Sequence, residues 1–239
     1  MPVKLYLEDS YLRTFDGEVA AAGDGWCALS RTAFYPGGGG QPEDRGQLEA
    51  GGEALAVNGV REDEAGEVWH HVGRDLAPGT PVHGAIDWPW RYALMRAHAL
   101  MHVVNTVARD WLGGAITGVQ LGPERSRIDF RLPRFARELI PELEERVNAV
   151  LVRRLPIASS TVSEEEFLGR PELVRTAEVR PPVVGGRVRV VEIRGFDAQA
   201  CGGTHVHTTG EVGRARVVKF DNKGRDNKRF YWELDAPLE

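Results

Sequence analysis

Four residues in this chain could hold a metal ion, and they come in two pairs. His98 and His102 stand four apart in Arg96-Ala97-His98-Ala99-Leu100-Met101-His102. Cys201 and His205 bracket Gly202-Gly203-Thr204. Together they offer three imidazoles and one thiolate, a donor mix that suits a tetrahedral zinc ion. A zinc site drawn from distant parts of one chain is either a structural knot or a hydrolytic centre, so the function is to be sought there. The zinc-peptidase motif needs a Glu directly after the first His as general base. Ala99 occupies that position, which removes the peptidase reading.

The first pair requires a helix. Residues four apart share a helical face, so His98 and His102 project side by side. Pro89 suits a helix start, preceded by Asp87 or Trp88. From Tyr92 on, Leu94, Met95, Ala97, Leu100, Met101, Val103, Val104 and Val107 give a largely buried helix. The second pair requires a turn, which Gly202 and Gly203 permit. His207 is an alternative to His205; His205 is preferred because it closes the Gly-Gly turn. Cys27 and Cys201 are the only cysteines. Residues 1–10 lack the apolar core of a signal peptide, so reduced thiols and a cytoplasmic protein are expected. Cys27 reads as a buried strand residue. His70 and His71 read as strand residues at the surface of a barrel, without a functional role.

Short segments rich in β-formers fill the first part: 3–7, 26–29, 47–50, 54–57, 68–72 and a closing strand at 80–87. Their spacing predicts a small β-barrel over residues 1–88. Residues 89–239 mix helices and strands. A loop should follow the histidine helix, then a strand at 127–132. Pro133 and Pro141 suit helix starts, and 142–152 is amphipathic. Strands are expected at 157–162, 188–193, 215–220 and 229–234, and Ser163 with Glu166 forms a capping box for a short helix. The fold class is therefore α+β: an amino-terminal barrel, then helices on an antiparallel sheet.

The chain resembles the alanyl-tRNA synthetase editing domain and its free-standing relatives, the AlaX proteins, in the medium-length form with an amino-terminal barrel domain. The two ligand motifs carry this resemblance, with the family's usual His-Thr-Ala-x-His present as His98-Ala99-Leu100-Met101-His102. Three further stretches agree. They are the glycine-rich run Phe34 to Gly46, the segment Ile116-Thr117-Gly118-Val119-Gln120-Leu121-Gly122 with Arg127-Ile128-Asp129-Phe130, and the final hairpin Asn222 to Leu234. The resemblance implies a zinc-dependent deacylase that acts in trans, removing serine, and glycine as a second substrate, from mischarged alanine tRNA.

Under that reading Thr117 and Gln120 are the candidate catalytic residues, contacting a hydroxyl or positioning water. A pocket built for a hydroxyl rejects substrates that lack it. Gly38, Gly39, Gly40 and Gln41 would let backbone approach the tRNA end. Lys223, Arg225 and Lys228 would hold phosphates from a basic, Gly- and Asn-rich run; a solvated hairpin tip is the alternative. The zinc could expand to five ligands with substrate, or could order the pocket. Two other functions stay open: a zinc hydrolase of another ester or amide, and a non-catalytic tRNA-binding module with structural zinc. The net charge of −5 argues against a general nucleic-acid coat but not against binding one tRNA end. The composition, 42% hydrophobic and 27% charged, is that of a soluble globular protein. No membrane span is expected. With 239 residues and no adenylate-forming region, neither ATP use nor ligation is expected.

Overall fold

The computed structural model describes residues 2–174 and 183–237. The chain forms two compact units, residues 1–93 and 94–239, with the division inside a long helix.

The first unit contains β1 (Val3–Lys4), α1 (Leu5–Glu8), β2 (Thr14–Gly23), β3 (Trp26–Leu29), β4 (Arg31–Thr32), β5 (Gly46–Ala50), β6 (Glu53–Val57), β7 (Val60–Glu62), β8 (Val68–His71) and β9 (Pro81–Ile86). Seven of the strands form one antiparallel sheet in the order β6-β5-β9-β2-β3-β8-β7. The ten-residue β2 organises it. Thr14 to Glu18 pair with β9, and Val19 to Gly23 pair with β3 through an irregularity between Val19 and Ala21. Such a bulge bends a strand and raises its twist. The sheet therefore curls over one core that includes Phe15, Leu29, Leu48, Val57, Val68 and Ile86. The order is open-ended: among the described residues no ladder joins β6 to β7. The expected barrel is a curled, open sheet. The segment expected as one strand from Val3 to Leu7 turns helical at Leu5.

The helix α2 runs from Trp88 to Leu112. Asp87 Oδ1 accepts from the Trp90 amide at 3.2 Å, an N-cap bond, and Pro89 lies in the first turn, where its missing N–H costs little. Gly113 ends the helix with φ +66°. Its amide donates to Arg109 O, and the Gly114 amide donates to Ala108 O. Arg91 explains why the unit boundary lies within the helix rather than at its start. It is fully buried in the first unit, paired with Asp44 and donating to the carbonyls of Ser10 and Ala33.

The second unit contains two antiparallel sheets. One has the order β10 (Ala115–Gln120), β11 (Arg125–Arg131), β17 (Asn227–Leu234), β16 (Ala215–Asn222). Ile128, Phe130, Phe230 and Trp232 fill its buried face. The helix α3 (Ile140–Leu151), opened by Pro141, buries Leu143, Val147, Val150 and Leu151. Asn148 exchanges hydrogen bonds with the backbone of Ala215, which fastens α3 to β16. Pro133 starts no helix. The other sheet has β12 (Ile157–Ser163), β13 (Val183–Val184), β14 (Arg187–Ile193) and β15 (Asp197–Ala200), all joined through β14. Its core holds Val162, Phe167, Val188 and Val190. The short helix α4 (Glu164–Leu168) is capped by Ser163, whose hydroxyl accepts from the Glu166 amide at 3.0 Å. No described helix is long and apolar enough to cross a membrane.

Candidate metal centre

His98 and His102 project from one face of α2, and Cys201 and His205 follow directly after β15. A donor atom from each lies within 4.8 Å of all the others. Cys201 Sγ is 3.4 Å from His98 Nε2 and 3.8 Å from His205 Nε2. His205 Nε2 is 3.1 Å from His102 Nε2. The four residues span more than a hundred positions of sequence, so tertiary folding, not local chain geometry, assembles them. His207, the alternative ligand, is exposed and outside the cluster.

Two features hold the Cys201 to His205 segment. Arg189 on β14 donates from Nη1 to the carbonyls of Cys201 and Gly203, each at 2.9 Å. The Cys201 amide donates to Arg189 O at 3.0 Å. His205 Nδ1 lies 3.1 Å from Gly203 O. A carbonyl only accepts, so Nδ1 carries the proton and Nε2 presents a bare lone pair. No sequence signal distinguished Arg189 within the alternating Arg/Val run of β14.

Burial sets the electrostatics. It holds the His98 and His205 imidazoles well below the ordinary histidine range and lowers His102 to about 3. The nearby Arg189 acts in the same direction on all three, as do neighbouring imidazoles on His98 and His205. Neutral imidazoles at physiological pH are what metal ligation requires. Burial also pushes the Cys201 thiol up, against the Gly203 amide and Arg189, which favour the thiolate. A cation bound here would favour it more strongly. The arrangement can hold a metal ion with all four donors turned inward.

The other predicted residues occupy three places. Thr117 and Gln120 lie on β10, a strand where sequence suggested a loop. Both are exposed, and Thr117 Oγ1 donates to Asn227 Oδ1 at 3.4 Å. Gln120 stands opposite Arg127, Arg127 opposite Tyr231, and Tyr231 opposite Lys219. These four form one row across the polar face of the sheet.

At the β16–β17 hairpin, Lys223 is half-exposed and Arg225 is 94% exposed. Lys228 differs. It is buried, and its ammonium donates to Asn222 Oδ1, Gly224 O and Arg225 O at 2.8–2.9 Å. All three of its donors are satisfied within the turn.

The glycine-rich run lies in the first unit and is a fixed turn. Gly37, Gly38, Gly39 and Gly40 all take positive φ, which glycine adopts without strain. Gly38 and Gln41 exchange two backbone hydrogen bonds of 3.0 Å, and Tyr35 donates its hydroxyl to Gly38 O. Gln41 is buried. Asp44 accepts from the Tyr35 amide and pairs with Arg91, clamping the base of the turn to the start of α2.

His70 is a correction to the sequence reading. It is fully buried in the first unit's core, with Nε2 2.8 Å from Thr32 Oγ1 and Nδ1 3.2 Å from Cys27 O. Cys27 is buried on β3, as expected, and both cysteines are free thiols.

Comparison with known proteins follows the same two units. The family model described as the threonyl and alanyl tRNA synthetase second additional domain matches residues 188–231. The model for class II (A) tRNA synthetases matches residues 9–90. The alanyl-tRNA editing protein AlaX-M of Saccharolobus solfataricus is 37% identical over 237 residues, covering 98% of this chain and 99% of the relative. That of Methanosarcina acetivorans is 38% identical over 239 residues, covering 96% and 98%. The alanine–tRNA ligase of Ignicoccus hospitalis is 36% identical over 219 residues, covering 90% of this chain and 24% of the ligase.

Proposed function

The chain belongs to the AlaX-M family of alanyl-tRNA editing proteins, and we propose that it hydrolyses the ester of serine, and of glycine, on mischarged alanine tRNA at a zinc centre formed by His98, His102, Cys201 and His205. The observation that carries this reading is the convergence of four buried donors from two distant segments. A tetrahedral zinc at its usual bond lengths sets donors about 3.3–3.7 Å apart. The separations of 3.1, 3.4 and 3.8 Å bracket that range, so small side-chain adjustments bring the donors to it. Three imidazoles and a thiolate are also the donor set that zinc takes.

When bound, zinc would supply Lewis acidity toward an ester carbonyl or an attacking water. Four protein donors fill a tetrahedral sphere, which favours a role in ordering the pocket around the reacting ester. The protein's own groups then carry recognition. Gln120 and Thr117, exposed on β10, would bind the serine hydroxyl or position water. Arg127, Tyr231 and Lys219, in register with Gln120, give the same sheet face positive charge and an aromatic ring. Those groups suit the sugar-phosphate and bases of an acceptor end. Lys223 and Arg225 would add phosphate contacts at the hairpin tip, while Lys228 shapes that tip from inside. The turn Gly38-Gly39-Gly40-Gln41 would offer its backbone to the tRNA end. Free thiols at Cys27 and Cys201 agree with a reducing, cytoplasmic setting.

Hydrolysis of a panel tests the reading: Ser-, Gly- and Ala-tRNA(Ala), with a simple ester as control. Cleavage of the first two, sparing Ala-tRNA(Ala) and the ester, is expected. Cleavage of the ester alone would indicate another hydrolase. Tight tRNA binding without cleavage would indicate a binding module with structural zinc.

A further inference from the structure

The polar face of α2 continues past the metal ligands. His98, His102, Thr106 and Arg109 follow at helical spacing and share one side of the helix. Beyond His102 this side meets Asp197, the first residue of β15. Asp197 is buried; its Oδ2 lies 3.9 Å from His102 Nδ1 and its Oδ1 4.0 Å from Arg109 Nη1. Gln199 Nε2 donates to the same carboxylate at 2.6 Å, and Thr106 stands beside it.

His102 Nδ1 and Arg109 Nη1 are buried and have no hydrogen-bond partner among the described residues. A buried polar atom left so pays for its lost water contacts and gains nothing in return. Asp197 is the acceptor within reach of both. From 3.9 Å, a movement of about 1 Å brings His102 Nδ1 to hydrogen-bond distance. His205 shows the corresponding solution: its Nδ1 is served by Gly203 O, leaving Nε2 bare. His102 needs the same service and has a carboxylate for it.

We propose that Asp197 is a positioning residue of the metal centre: it accepts the Nδ1–H of His102, fixing the tautomer that leaves Nε2 bare and aimed at the other donors. Gln199 holds the carboxylate by its hydrogen bond, and the Arg109 guanidinium lies 4.0 Å from the other carboxylate oxygen. A carboxylate behind a ligating imidazole orients the ring and raises its basicity, so the interaction contributes to metal affinity as well as to geometry. Nothing in the ligand spacing reveals this residue. The inference rests on the proposed zinc centre but not on the identity of the substrate.

The test compares wild-type protein with Asp197→Asn, using zinc itself as the probe. Competition against a chromophoric chelator should show zinc bound about 10- to 100-fold more weakly by the variant. The melting temperature of the metal-free variant should stay near that of the wild type. A zinc affinity within twofold of wild type overturns the proposal, as does a loss of melting temperature with zinc affinity kept, which would assign Asp197 to the fold alone. Should Asp197→Asn fail to fold, the zinc-loaded wild type still decides. Long-range proton–nitrogen spectra should show His102 protonated at Nδ1, with a proton protected from exchange. A bare or metal-bound Nδ1 overturns the proposal. A wild type that binds no zinc brings down the centre itself, and this inference with it.

Discussion

The Nε2 atoms of His102 and His205 face each other at 3.1 Å. His205 is protonated on Nδ1, toward Gly203 O, so its Nε2 is a bare lone pair. That lone pair faces the second ring's nitrogen at a distance that requires a proton or a cation between them. Cys201 Sγ, 3.8 Å from His205 Nε2, adds a third electron-rich atom. The arrangement is that of a cation site. Cys201→Ala and His98→Ala should therefore each lose the zinc, measured as metal per chain after dialysis. Full occupancy in both variants would remove the ligand assignment.

Gln120 should set rate and discrimination. Gln120→Ala removes a side chain that projects from the polar sheet face and leaves the buried face intact. Loss of a neutral hydrogen bond, worth about 0.5–1.5 kcal/mol, predicts up to a tenfold fall in kcat/KM for Ser-tRNA(Ala). Discrimination against Ala-tRNA(Ala) should narrow with it. Unchanged rate and unchanged discrimination would place Gln120 outside the pocket.

The hairpin cations should behave in two different ways. The Lys223→Gln, Arg225→Gln double variant should raise KM, keep kcat at saturation, and flatten the log–log salt slope of tRNA binding by about 1–2. Lys228→Met should instead leave three carbonyl-type acceptors without their donor and lower the melting temperature. Unchanged affinity and slope in the double variant would make the tip a solvated surface.

How much of this was legible depends on the residue. The i, i+4 spacing of His98 and His102 and the Gly-Gly turn before His205 encode local geometry, so the four-residue cluster could be read directly. Strand β2 was missed because Thr14 to Gly23 contain three alanines and two glycines, poor strand formers whose pairing comes from both neighbours. Strand β10 was hidden by Gly113, Gly114 and Gly118. Lys228 reads as one more cation in a charged run; only the turn around it shows its burial. His70 shares a face with Val68 by the strand period of two, a signal that its polarity masked. Asp197 acquires its meaning only when β15 is laid against α2.

His70 predicts an acid limb of stability. Burial lowers its pKa from 6.5 to about 4, opposed by the Cys27 carbonyl. The native state thus keeps His70 neutral where the unfolded chain takes up a proton. Its contribution is complete above pH 6.5 and declines as pH falls from there to about 4, by about 3 kcal/mol in all. Urea unfolding across that range should show this loss in the wild type and a shallower one in His70→Gln. Identical pH slopes for the two proteins would contradict the assignment.

One zinc per chain is expected to make this protein an editing deacylase. Stepwise addition of zinc to metal-free protein, with hydrolysis of Ser-tRNA(Ala) and Ala-tRNA(Ala) followed at each step, tests it most directly. Ser-tRNA(Ala) hydrolysis should rise from near zero and level off at one equivalent, while Ala-tRNA(Ala) stays intact throughout. Full activity in the metal-free protein, or equal hydrolysis of both substrates, would contradict it.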